Sequence, residues 1–292
     1  MSPSATRKND ELKPPAVELT LAHSPDSDDA FMFYALATKK VHTPNLVFKH
    51  CLEDIESLNQ KAFQGVYEIT AASFHAYPYL ADRYILLPCG ASFGERYGPI
   101  VVARFTPGAS GLRGKRIAVP GKMTTAHLIL QLYEHEFEPV FTPFDQVLEM
   151  VSHGGADAGV VIHEGQLTYA EAGLKKIVDL GEWWYQETGL PLPLGGNLIL
   201  RSLAGPTAVA VAQLLKESIQ YALDNREEAL NYALQFGRGL DSPTADQFVA
   251  MYVNDWTLEY GERGREAVQT LLDRGYANGL LPKQVRAEFV EL

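Results

Sequence analysis

Residues 153–169 read HGGADAGVVIHEGQLTY. The stretch closes a helix, turns at Gly154-Gly155, runs as an apolar strand from Ala158 to Ile162, and breaks at His163-Glu164-Gly165. A strand this apolar is buried on both faces, as in a parallel sheet flanked by helices. That reading puts the chain in the α/β class. Open α/β sheets carry their chemistry at the C-terminal ends of such strands. His163 therefore reads as a proton-transfer group, or as a hydrogen-bonded histidine at a strand end.

Upstream, Arg116 to Val119 is a strand, followed by Pro120-Gly121-Lys122-Met123-Thr124-Thr125 and an apolar helix from Ala126 to Tyr133. The free N–H groups at that helix start suit a carboxylate or a phosphate. The same loop also reads as a plain helix cap. It is no P-loop, because the GxxxxGK[ST] spacing is missing. Val140 to Phe144 is a further strand, and Asp145 to Val151 a helix. Nearer the start, Val17 to Ala22 is a strand that ends in HSPDSDD, where Asp28 or Asp29 would cap the next helix. Leu46 to Cys51 is a strand, Asp54 to Phe63 a helix, and Tyr67 to Ala72 a strand that ends at Ser73. The spacing from Gly65 to Ser73 equals that from Gly155 to His163. This echo of helix, glycine, strand and small polar residue points to two lobes of similar topology.

Two further strands, Tyr97 to Phe105 and Asn197 to Arg201, are placed to cross between the lobes. Thr106-Pro107-Gly108 breaks the first. Between them lie a short strand, Ile177 to Leu180, and a Pro- and Gly-rich aromatic loop over 181–196. Its Trp183-Trp184 pair either walls a pocket or packs the loop down. Helices are expected at Thr207 to Asp224, Glu227 to Phe236, Thr244 to Val253, Gly264 to Asp273 and Pro282 to Glu291. The expected fold is α/β, with two doubly wound lobes joined by two crossover strands and a ligand cleft between them. Residues 1–16 form a disordered lead-in, 17–102 plus 200–292 the larger first lobe, and 103–199 the second. Ser24, Ser73, Thr124-Thr125 and His163 end strands facing that cleft, which would close on a small anionic or hydroxylated ligand.

Composition narrows the function. The 292 residues carry a formal net charge of −11 with no long basic run, which argues against nucleic acid and anionic membranes as partners. No apolar run approaches the roughly 18 residues of a membrane span. The lead-in lacks the apolar core of a signal peptide, so the chain is expected in the cytoplasm. Cys51 and Cys89 read as packing residues, not as a disulfide framework. The histidines show no HxxxH or His/Cys ligand spacing, so no metal and no cofactor are expected. The sequence does not reveal an oligomeric state.

Six stretches carry a resemblance: HSPDSDDAFMFYAL, ITAAS, PGKMTTAHLIL, ADAGVVIHEGQLTY, GLPLPLGG and MYVNDWTLEYGERGREAV. They resemble the 1,4-dihydroxy-6-naphthoate synthase family of the futalosine route to menaquinone, which has the type II periplasmic-binding-protein fold. The resemblance implies a lyase that converts cyclic dehypoxanthinyl futalosine to 1,4-dihydroxy-6-naphthoate. It makes the IHEG histidine, His163, the catalytic base. It places substrate contacts at Ala71, Ala72 and Ser73 and at Thr124, Thr125 and Ala126. The substrate would be a small molecule with a carboxylate and sugar-derived hydroxyls. Many family members carry Cys-Pro-Asn-Asp where this chain has Asp26-Ser27-Asp28-Asp29, so that loop receives no assigned contact. The alternatives are chorismate dehydratase of the same pathway and a non-catalytic binder of small anions.

Overall fold

A computed structural model describes residues 16–105, 111–237 and 241–292. The expected lead-in, apart from Ala16, and the Thr106-Pro107-Gly108 break lie outside the described residues. The chain begins β1 (Val17–His23), α1 (Ser27–Ala37), β2 (Leu46–Leu52), α2 (Ile55–Gln64), β3 (Ile69–Ser73) and α3 (Tyr77–Leu80). Next come β4 (Tyr84–Leu86), β5 (Ser92–Gly94), β6 (Ile100–Ala103), β7 (Arg116–Val119), α4 (Thr125–Tyr133) and β8 (Glu138–Phe141). Then follow α5 (Val147–Ser152), β9 (Ala158–Val161), α6 (Gly165–Thr168), β10 (Lys175–Asp179), α7 (Leu180–Thr188) and β11 (Leu192–Leu200). The last described helices are α8 (Pro206–Asp224), α9 (Arg226–Ala233), α10 (Ser242–Tyr252), α11 (Asp255–Leu258) and α12 (Gly261–Ala277).

The strands form two sheets. The first has the order β2-β1-β3-β11-β4, with β5 also paired to β11. The second has the order β10-β6-β9-β7-β8. β1 is parallel to β2 and β3, and β7 is parallel to β8 and β9. β11 and β6 run antiparallel to their neighbours, as strands that return from another lobe must.

Burial on both faces is visible residue by residue in the second sheet. Ile117, Val119, Ala158 and Val160 belong to the apolar core that includes Leu128 and Leu130 of α4. Ala118, Val102 and Val161 belong to a second core with Val147 and Val151 of α5. This alternation is the period-two pleat of a strand sandwiched between helices. Gly159 lets α5 approach closely, since a Cβ there would lie 2.7 Å from the side chains of Val147 and Val151. In the first sheet, α1 packs against α8, α9 and α10 in one core, with Leu19, Leu21 and Ile69.

Several local expectations need correction. The expected lobe limits put 100–102 in the first lobe and 192–199 in the second, but β6 pairs in the second sheet and β11 in the first. The chain therefore leaves the first sheet after β5 and returns to it at β11. The expected loop over 181–196 is α7 followed by most of β11. Asp179 caps α7 by accepting from the N–H groups of Gly181 and Glu182. Trp184 is fully buried and donates from Nε1 to the Pro191 carbonyl, so it packs this segment and walls no cleft. The expected helix over 282–291 does not form; the segment is irregular chain with one isolated bridge, Phe289 to Leu86. Its Glu288 carbonyl and Val290 N–H bond to the backbone of Leu86 in β4. The tail thus covers an open sheet edge, which outweighs its local helical pattern. Cys89 is fully buried, and burial pushes its thiol up to about 12, as suits a packing residue.

Candidate active site

The ends of β1, β3, β9 and β11 and the start of α4 converge on one cleft between the sheets. It encloses about 780 Å³, part of it open to bulk solvent. Every residue singled out from sequence lines it: Ala71, Ala72, Ser73, Thr124, Thr125, Ala126 and His163. Ser24 lines it as well.

Each side chain is held for a physical reason. Asn59 of α2 fixes Ser73, accepting from its N–H at 2.9 Å and donating to its Oγ at 3.1 Å. Thr124 is the N-cap of α4, and its Oγ1 accepts from the His127 N–H. The N–H groups of Thr125 and Ala126 then have no acceptor within the helix, and both residues face the cleft. The Thr125 hydroxyl is already committed. It donates to the Leu194 carbonyl at 2.5 Å and accepts from the His75 N–H at 3.2 Å. Thr125→Val should therefore cost about 1–2 kcal/mol of stability, because it strands the buried His75 N–H, whereas the Leu194 carbonyl keeps the Phe74 N–H at 3.2 Å. Urea unfolding of the two proteins checks this, and equal midpoints would contradict it.

His163 sits just past β9 with φ +62°, a left-handed backbone unusual for a non-glycine residue. Its Nδ1 lies 3.1 Å from a carboxylate oxygen of Asp26, and the two side chains are 15% and 1% exposed. Ser24 Oγ donates to the same Asp26 oxygen. The Phe144 ring meets the imidazole edge-on, with centroids 4.5 Å apart. Nε2 is buried with no protein partner. With a neutral ring, Nδ1–H donates to Asp26 and Nε2 keeps its lone pair. Asp26 is the N-cap residue of α1, in place of the expected Asp28 or Asp29, and its carboxylate makes no cap bond. Two more bonds tie the following residues to the first lobe: Ser27 Oγ donates to Glu164 at 2.9 Å, and Tyr252 OH to Gln166 at 3.0 Å.

Burial sets the charge states around the cleft. It pushes Asp28 well above the usual carboxylate range, with Asp29, Asp26 and Glu164 adding to the effect. Burial and then Asp26 push Asp29 up to about 7. Burial lowers His75 to about 4, although its Nδ1 lies 3.0 Å from the Thr124 carbonyl, an acceptor that favours the charged ring. A histidine kept neutral by folding contributes stability that is full above its unfolded value of 6.5 and lost as the pH falls toward about 4. His75→Asn should thus be less stable than wild type at neutral pH. The gap should narrow on acidification by at most about 1.4 kcal/mol per pH unit. Unfolding curves across that range test it, and a constant gap would contradict it.

Among the described residues, no group of three His, Cys, Asp or Glu side chains is arranged to hold a metal ion. No described helix is long and apolar enough to cross a membrane. The sequence profile of a family described as menaquinone biosynthesis matches residues 19–277. This chain belongs to that menaquinone-biosynthesis family. Two relatives carry the name 1,4-dihydroxy-6-naphthoate synthase. The one from Thermus thermophilus is 41% identical over 272 residues, covering 93% of this chain and 99% of the relative. The one from Streptomyces coelicolor is 37% identical over 271 residues, covering 90% and 95%. A crystal structure of a protein from Archaeoglobus fulgidus superposes with a TM-score of 0.86 at 47% identity, covering 90% of this chain and 98% of that one. The alkanesulfonate-binding protein SsuA from Xanthomonas axonopodis, solved with MOPS bound, gives a TM-score of 0.69 at 16% identity, covering 94% and 97%. That likeness is one of fold, the two-lobed periplasmic-binding-protein type.

For this member of the menaquinone-biosynthesis family, sequence reasoning missed the groups that hold the site together. Asp26, Gln166, Asn197 and Tyr252 all line the cleft. Asn197 Nδ2 donates to the Gly90 carbonyl at 2.7 Å, while its Oδ1 is buried without a partner. Gln166 and Tyr252 lie inside the stretches that carried the resemblance, but only the fold brings them together.

Proposed function

We propose that this chain is the lyase that converts cyclic dehypoxanthinyl futalosine to 1,4-dihydroxy-6-naphthoate, with His163 as its general base. One observation carries the reading. In a cleft of this family, an imidazole is oriented through Nδ1 by a buried carboxylate and keeps a partnerless Nε2. That is the arrangement a base needs to accept a proton. His163 takes a proton from a hydroxyl or an acidic carbon of the substrate. Collapse of the resulting anion breaks the bond to the sugar-derived part, and aromatisation of the naphthoate supplies the driving force.

The substrate carboxylate binds at the start of α4, on the N–H groups of Thr125 and Ala126, where the helix dipole favours negative charge. Ala71, Ala72 and Ser73 at the end of β3 meet the sugar-derived hydroxyls. The reaction needs no metal and no cofactor, and its soluble substrate fits work in the cytoplasm. The test is incubation with cyclic dehypoxanthinyl futalosine, followed by absorbance and mass. A new naphthalene spectrum supports the lyase. Consumption of chorismate instead would move the assignment to the dehydratase, and saturable binding without turnover would leave a binder.

A further inference from the structure

One side chain in the cleft is gripped at one end and has no partner at the other. Asn197 is 2% exposed and lines the cleft from β11. Its backbone is fixed from two sides. It pairs in register with Ala71 of β3, and its carbonyl accepts from the Leu87 N–H at 2.8 Å. Directly opposed residues of a β pair project from the same face of the sheet. The Asn197 side chain therefore shares a face with Ala71 and, two residues along, with the opposed pair Gly195 and Ser73. All three also line the cleft.

The amide has one possible orientation. Nδ2 donates to the Gly90 carbonyl at 2.7 Å and lies 3.9 Å from Met32 Sδ. Turned over, it would set two carbonyl oxygens 2.7 Å apart with no proton between them. Gly90 is itself pinned, since its N–H bonds to the Thr257 carbonyl at 2.7 Å. This turn grips the amide nitrogen and leaves the oxygen as the end to be matched. Oδ1 is buried and has no partner among the described residues. A tie between β11 and the Gly90 turn accounts for the nitrogen, but not for an acceptor left unmet away from water.

The same cleft leaves His163 Nε2 buried and without a partner, on the facing lobe. Both atoms carry lone pairs, so both call for donors, and neither suits a carboxylate oxygen. The N–H groups at the start of α4 have the opposite polarity. We propose that Asn197 is a specificity residue whose Oδ1 accepts a hydrogen bond from a hydroxyl of the sugar-derived part of the substrate. That hydroxyl keeps its own proton while His163 draws one from elsewhere in the molecule. This rests on reading the cleft as the lyase site. The cleft then sorts its ligand by polarity, with anionic oxygen at α4 and O–H donors at β9 and β11. A ligand that lacks the hydroxyl strands a buried acceptor, which is how a polar site rejects an analogue missing one donor.

The experiment is a double-mutant cycle between protein and ligand. Calorimetry measures binding of cyclic dehypoxanthinyl futalosine and of analogues that each lack one hydroxyl of the sugar-derived part. The proteins are His163→Asn alone and His163→Asn combined with Asn197→Leu or Asn197→Asp. For one analogue, loss of the hydroxyl should weaken binding to His163→Asn by about 10–100-fold. With Asn197→Leu added, the protein should no longer distinguish that analogue from the substrate. Asn197→Asp gives up the Gly90 bond but keeps an acceptor, so it should go on discriminating. A residue that only ties β11 to Gly90 would weaken all ligands alike in both variants. That result, or a Leu variant that still discriminates by the same factor, overturns the proposal. Turnover by wild type without any such coupling leaves the lyase reading standing and defeats this one. A substrate that neither binds nor turns over defeats both.

Discussion

His163→Asn is expected to lower kcat by about 10²–10⁴-fold, the usual contribution of a positioned general base. Asparagine is the informative replacement because His163 has φ +62°. Asn tolerates the left-handed region better than most residues, so the turn after β9 should survive. Its amide can occupy part of the ring's place beside Asp26, but it offers no lone pair of useful basicity. Substrate binding should persist, because the N–H groups of Thr125 and Ala126 and the Ser73 region are untouched. Single-turnover kinetics with a parallel binding titration separate the two effects. Turnover at the wild-type rate would remove His163 from the mechanism, and lost binding with normal single-turnover chemistry would make it a binding residue.

Gly181→Ala should be the most damaging small change outside the cleft. A Cβ on Gly181 would stand 1.9 Å from the Tyr97 carbonyl oxygen and 2.5 Å from the Gly98 nitrogen. Both partners are backbone, so no rotamer change relieves the overlap. Residues 95–99 carry the chain from the first sheet into the second, and the Leu180 N–H bonds to the Pro99 carbonyl at 3.0 Å beside them. The substitution pries α7 away from that crossing. A loss of about 3 kcal/mol is expected, at the upper end of what overpacking costs. Substrate affinity should fall with it, since the crossing sets how the two sheets face each other. Denaturant titration and a binding isotherm check both parts, and an unaltered midpoint would contradict the first.

The core of this fold was readable because its signals are local. The run from Ala158 to Val161 is apolar enough to declare burial on both faces, and the abrupt His163-Glu164-Gly165 marks where the strand stops. Thr124 sits in cap position ahead of an apolar helix, and the helix forms there. What stayed hidden depends on distant partners. α7 was masked by the Pro- and Gly-rich residues around it, although its aspartate cap and its Trp184 anchor are real helix signals. The 282–291 tail follows a sheet edge that local periodicity does not encode. The lobe limits missed because β6 and β11 are apolar runs that suit either sheet. Asp26 showed itself only as a departure in a loop. Its bond to His163 depends on two segments from different sheets meeting across the cleft.

Asp26 stands at the end of β1 in one sheet and His163 at the end of β9 in the other. Any widening of the cleft draws the carboxylate off the imidazole. On the proposed role of His163, the pair would be complete only while the lobes meet, and a wider cleft would leave the protein chemically idle. An inhibitor need not imitate the substrate or reach His163. A molecule that lodges between the sheets as a wedge, too thick to let them meet, would silence the enzyme by keeping two intact residues apart.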